Sequence, residues 1–117
     1  MIKINKQIVE QSFDILNLIV FEPCGMKVPI PEHLDIAPLE CYLGFVMKVR
    51  VDHKDWTMCV MNEWFEDWDH FTEIMAHEMI HVYQVMVLGT YGYHDEFFWS
   101  WKEKFDEFGI PLREGEV

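Results

Sequence analysis

Basic side chains are scarce in this chain. Its 117 residues carry 9 lysines and arginines against 21 aspartates and glutamates, a formal charge of −12 at pH 7. Binding a duplex depends on neutralising phosphates with Lys and Arg, so this balance argues against direct nucleic-acid binding. It argues equally against docking on an anionic membrane surface. Long apolar runs are missing too. The most apolar early stretch, residues 15–21, is interrupted by Asn17 and followed by Glu22 and Pro23. That is far short of the roughly 20 residues that span a bilayer, and no small-residue cleavage pattern of a secretory signal follows it. Cysteine is sparse. Cys24, Cys41 and Cys59 are odd in number and widely spaced, and the lack of a CxxC pair excludes a zinc ribbon or a dithiol redox motif. They read as small, reduced, partly buried residues of a cytoplasmic protein. Internal repeats, low-complexity tracts and long linkers are absent. Against these absences, half of the residues are hydrophobic and 15% are aromatic. This excludes a mainly disordered chain and predicts one domain over residues 1–117 with a modest core.

Periodicity divides the chain into helices and a hairpin. Residues 4–21 read as an amphipathic helix with Ile4, Ile8, Ile15 and Ile19 near one face and Val9, Leu16 and Val20 widening it. Four of the five prolines fall in residues 23–40. This stretch reads as a connector, with a short edge strand expected near residues 26–30. Residues 43–51 alternate, with Phe45, Met47, Val49 and Val51 on one side and Lys48 and Arg50 on the other. With residues 56–61 they predict a hairpin joined by the four-residue turn Asp52, His53, Lys54 and Asp55. Asn62 reads as a cap or turn residue, and residues 63–69 as a short helical turn. A main helix is expected over about residues 71–88, capped by Asp69 and stopped at Gly89. A loop through Tyr91, Gly92, Tyr93 and His94 leads to a last helix over residues 96–108, capped by Asp95 and closed by Gly109 and Pro111. The order helix, hairpin, helix, helix gives an α+β domain with a small antiparallel sheet.

Inside the main helix stands His77-Glu78-Met79-Ile80-His81, an HExxH motif. Positions i and i+4 of a helix lie one turn apart on one face, so two imidazoles there can bind one zinc ion as neighbouring ligands. Glu78 lies on the flank, where its carboxylate can act as general base toward water at the metal. Shuffling this composition gives such a motif on the order of a few times per hundred sequences. Context strengthens it: Met79, Ile80 and Val82 suit a buried helix, where the charged Glu78 is costly unless it has a partner. A catalytic site also needs a third protein ligand. His94, after the Gly89 stop and at the entrance to the last helix, is the leading candidate, with Asp95 and Glu96 as rivals. His33 and His53 read as exposed. His70 reads as a surface residue near the helix start, with a supporting place beside the metal as the alternative. Trp64, Phe65, Trp68 and Phe71 read as core with Phe97, Phe98, Trp99 and Trp101. However, Phe97, Phe98 and Trp99 are consecutive, so at least one must reach the surface.

The motif His77-Glu78-Met79-Ile80-His81, followed by Gly92-Tyr93-His94-Asp95-Glu96-Phe97, resembles SprT-like zinc metallopeptidases, the family of SprT proteins and Spartan proteases. The strand ending at Met61-Asn62 and the following Trp64-Phe65 are similar in arrangement, and the likeness covers about residues 41–110. It implies a minimal zincin-like fold, zinc held by His77, His81 and His94, Glu78 as general base and acid, and hydrolysis of peptide bonds in protein substrates. Three features depart from the family. Asp95 stands where glycine commonly follows the third histidine. No cysteine follows Cys59, so the zinc ribbon of many relatives is not expected. The acidic charge gives no basis for DNA-guided proteolysis. Tyr91 or Tyr93 is a candidate donor to the oxyanion of the reaction. A second function from a different class is an acidic zincin-like binding or inhibitor protein that docks on a basic, nucleic-acid-binding partner. The acid excess before the motif and at Glu103, Asp106, Glu107, Glu114 and Glu116 favours it.

Overall fold

The computed structural model describes residues 1–115; Glu116, counted above in the acid excess, lies outside the described residues. Asn5 starts the first helix because its Oδ1 accepts from the Ile8 amide at 2.8 Å, meeting one of the donors a helix start leaves open. The helix, α1, runs Lys6–Leu16, widens into a π turn at Asn17–Phe21, and ends through a 3-10 turn at Gly25, whose φ is +82°. Its buried apolar residues are Val9, Phe13, Leu16, Val20 and Phe21, whereas Ile15 and Ile19 are half exposed. Of the face expected from the sequence, Ile4, Val9, Leu16 and Val20 are buried, whereas Ile15 and Ile19 lie off the core side. At 100° per residue Ile15 lies about 200° round from Phe13, and the bulky Phe13 decides which side packs. Asn17, which interrupts the apolar run, is buried and holds both main-chain groups of Val28 at 2.8 Å. It thereby ties α1 to the proline-rich connector. That connector carries no strand at residues 26–30. Its strand is β2, His33–Ile36, after a two-residue β1 at Ile2–Lys3.

β3, Gly44–Val51, and β4, Lys54–Met61, form the expected hairpin, with a two-residue turn in place of the four-residue one. Asp52 and His53 have φ of 52° and 64°, the pair of left-handed residues that suits the twist of a tight hairpin. Strand order is β2-β4-β3, with β2 parallel to β4. The small sheet is thus mixed, not purely antiparallel. A parallel partner requires a connection that returns to the same end of the sheet, and here residues 37–53, the loop after β2 and β3 itself, make it. Residues 64–65, expected in a helical turn, form β5, Trp64–Phe65, which pairs antiparallel with β1. Asn62 is not a helix cap. Its side chain donates to the Leu39 and Tyr42 carbonyls at 2.9 and 2.8 Å, pinning the loop before β3.

The long helix α2, Trp68–Tyr83, is capped by Asp67 instead of Asp69; Asp67 accepts from the His70 amide at 2.8 Å. It continues as a π turn, Gln84–Leu88, to Gly89 at φ +71°. Every residue from Ile74 to Val82 is buried, as in a helix surrounded by protein. The expected last helix breaks in two, α3 at Glu96–Trp99 and α4 at Lys102–Glu107. Phe98, Trp101 and Phe105 are buried, while Trp99 and Phe108 reach solvent. The result is an α+β domain of 41 × 31 × 24 Å.

The sheet face turned to α2 carries Leu34, Gly44, Val46, Cys59 and Met61, all in the core or against it apart from the side-chain-free Gly44. Phe45, Met47, Val49 and Val51 point the other way, and Met47 and Val51 are about half exposed. β4 is apolar on both faces, so alternation in β3 could not by itself select the core side. The choice falls to Gly44. A Cβ there would sit 3.1 Å from the Met61 sulfur and 3.2 Å from Glu78 Cγ, so the missing side chain lets β3 lie directly on α2.

Candidate metal centre

His77 and His81 are fixed on α2 by the i, i+4 spacing, and their Nε2 atoms are 3.1 Å apart. His94 comes from the loop after the Gly89 helix stop. Its Nε2 lies 3.2 Å from that of His77 and 3.2 Å from that of His81. The three nitrogens thus form a nearly equilateral triangle. Zinc–imidazole bonds of about 2.0–2.1 Å place neighbouring ligands of a tetrahedron about 3.3 Å apart. The donor set therefore fits a tetrahedral ion with three protein ligands, and these three histidines lie close enough to hold a metal ion. Among the described residues no other group of His, Cys, Asp or Glu does so.

Burial prepares the site chemically. His77 and His81 are 3% and 7% exposed and His94 is half-buried, so the triangle opens to solvent on the His94 side. Desolvation pushes the His77 pKa down from 6.5 to about 3, helped by repulsion from His81 and His94. Desolvation likewise takes His81 down to about 4, against the raising effect of its bond to Gln84. Both rings are neutral at pH 7 and present lone pairs, the state a metal requires. Glu78 is 1% exposed, next to His77 in the same helix and against Gly44.

The loop reaches the site by two devices. Gly92 has φ +71°, and a Cβ there would meet the His81 ring at 3.4 Å, so the chain turns in a conformation that favours glycine while lying on that ring. Asp95 then caps α3, accepting from the Phe98 amide at 3.0 Å. α3 in turn brings the fully buried Phe98 against all three histidines, with ring centroids 5.0, 5.3 and 4.3 Å from His77, His81 and His94. Phe98 is the floor of the centre. The sequence showed it only as one of three consecutive aromatics, although its i+4 spacing from His94 was a usable signal.

Neither rival ligand joins the triangle. The Asp95 carboxylate is used by the Phe98 amide and by Gln84, and Glu96 is exposed in the first turn of α3. His70 lies two turns before His77, in the cap of α2, where its Nδ1 accepts from the Glu66 amide at 3.4 Å. His33 packs on Trp56 and His53 occupies the hairpin turn. Tyr91 and Tyr93 are exposed, 6.2 Å apart by ring centroid. Gln84, missed from the sequence, is completely buried beside His81. Cys59 is buried in the core, while Cys24 and Cys41 are exposed and all three are unpaired thiols. No helix is long and apolar enough to cross a membrane among the described residues.

Comparison of the chain with family models, with curated proteins and with solved structures gives no match.

Proposed function

We propose that the protein is a zinc-dependent endopeptidase of SprT-like type that hydrolyses peptide bonds in protein substrates. The observation that carries this reading is the triangle of three Nε2 atoms at 3.1–3.2 Å, with a buried glutamate adjacent to the first ligand. Three imidazoles leave one tetrahedral position open, the pattern of a catalytic centre, whereas a structural centre uses four protein ligands. His77, His81 and His94 would hold the ion. Zinc bound there supplies Lewis acidity, which acidifies water and polarises a carbonyl.

The protein's own groups account for the rest. Glu78 accepts the proton of the attacking water and returns a proton to the leaving amine as the peptide bond breaks. Its helix position holds it beside His77, and Gly44 leaves room for its side chain. β3 is the outer strand of its sheet. With a two-residue turn, the pair next to the turn, Val51 and Lys54, bonds across the hairpin. Odd residues of β3 therefore bond to β4, and Gly44, Val46, Lys48 and Arg50 direct their main-chain groups outward. This open edge starts at Gly44, the residue against Glu78, and can take an extended peptide as an added strand.

The test is hydrolysis of an unfolded protein such as casein by the zinc-loaded chain and by Glu78→Gln. The variant is expected to keep one zinc and lose turnover. Full activity in Glu78→Gln removes the mechanism.

A second reading rests on a separate groove of about 670 Å³ at the start of α2, lined by Glu66, Asp67, Asp69 and Glu73. Arg113 already places its guanidinium 3.1 Å from Glu73 there. This favours a binding protein that docks on a basic partner. Salt-sensitive complex formation that survives Glu78→Gln would support it.

A further inference from the structure

Gln84 lies three residues beyond His81, where α2 passes into its π turn, and it is completely buried. A buried amide is costly unless its carbonyl and its NH2 group are both satisfied. Here they are. Oε1 is 2.7 Å from His81 Nδ1, and Nε2 donates to the Tyr93 carbonyl at 2.9 Å and to Asp95 Oδ1 at 3.0 Å. The amide can sit only this way round. Its two partners on the loop are both acceptors, so the NH2 must face them and the carbonyl must face His81. A carbonyl only accepts, so the hydrogen of the neutral His81 ring is on Nδ1. The Nε2 atom, which faces His77 and His94, is left as the bare lone pair.

The same amide bonds residues on both sides of His94. Tyr93 precedes it and Asp95 follows it, and Asp95 Oδ1 also accepts from the Phe98 amide. One side chain thus joins the motif helix, the loop that carries the third ligand, and the helix whose Phe98 floors the centre. We infer that Gln84 is the positioning residue of this metal centre: it fixes the tautomer of His81 and, through Tyr93 and Asp95, holds His94 over the two helix ligands. Asp95 is then the tether of the loop and not a ligand. The inference rests on the metal reading above, and its failure can be told from failure of that reading.

The experiment uses the full chain. Affinity for zinc is measured by chelator competition for the parent, Gln84→Leu, Gln84→Glu, Asp95→Ala and Asp95→Asn. Imidazole 15N spectra of the metal-free proteins report the tautomer of His81. Removing a partner that orients a ligand typically weakens metal binding by about 10–100-fold. Gln84→Leu is expected to fall in that range and to lose the single Nδ1–H pattern of His81. Gln84→Glu keeps the acceptor for His81 but removes both donors to the loop. It is expected to retain the Nδ1–H pattern while binding zinc at least about tenfold more weakly. Asp95→Ala is expected to weaken binding likewise. Asp95→Asn, whose Oδ1 can accept both bonds, is expected to stay within about threefold of the parent, which a ligand carboxylate would not. A parent that binds no zinc overturns the metal reading and this inference with it. A parent that binds zinc, with Gln84→Glu and Asp95→Ala binding as tightly, overturns the inference alone, and these two variants decide it even where Gln84→Leu does not fold.

Discussion

Lowering the pH from 7.5 to 5 is expected to remove about 4 kcal/mol of stability from the metal-free protein. The cause is the burial of two neutral imidazoles. In the unfolded chain His77 and His81 take up protons as the pH falls through 6.5, whereas in the fold they resist protonation down to about 3 and about 4. Between those limits the unfolded state binds more protons, so stability is full above pH 6.5 and declines as the pH falls. At pH 5 each ring contributes a loss of about 2 kcal/mol. Small domains have about 5–15 kcal/mol in total, so the effect is large. Ordinary carboxylates ionise mostly below this window, which keeps it specific for histidine. The assay is urea unfolding of EDTA-treated protein at both pH values, with His77→Gln in parallel. The variant replaces the titrating ring by a neutral amide and is expected to lose only about half as much stability between the two pH values. On the proposed function, added zinc is expected to raise the midpoint at pH 7.5 in proportion to the logarithm of its concentration. Equal pH dependence in parent and variant would refute the burial argument.

Other outcomes follow from particular contacts. Gly44→Ala places a Cβ about 3.2 Å from Glu78 Cγ. It is expected to leave zinc affinity near that of the parent while reducing peptide hydrolysis by roughly tenfold or more, since displaced catalytic groups lose rate steeply; a stopped assay beside a chelator titration separates the two. Asn17→Ala leaves both main-chain groups of Val28 buried without their partners. It is expected to cost about 2–4 kcal/mol in a denaturant titration, and a loss under about 0.5 kcal/mol would show that water replaces the bonds.

Much of this organisation was legible in the chain because it is local. The HExxH spacing puts His77 and His81 on one helix face through helix geometry alone. Gly89 and Gly109 mark real stops, at φ +71° and +69°. The two strands of the hairpin are visible in their alternation. Boundaries moved where two signals competed: Asp67, not Asp69, caps α2, and Lys54 and Asp55 joined β4 because Asp52 and His53 make a tighter turn.

Tertiary structure decided what periodicity leaves open. α1 has apolar residues on more than one side, so only packing selects the Phe13 face and leaves Ile15 and Ile19 exposed. β3 presents four apolar residues on its outer face, and contact with α2 chose the face with Gly44 instead. The parallel pairing of β2 with β4 and the antiparallel pairing of β1 with β5 join residues far apart in the chain, and no local rule contains such partners. The sequence could nominate His94 together with Asp95 and Glu96. The fold-back of the loop through Gly92, the bonds of Gln84, and Phe98 beneath the rings separate them. The first two histidines of the cluster are set by the pitch of one helix; the third is set by side chains that meet only when the chain has closed on itself.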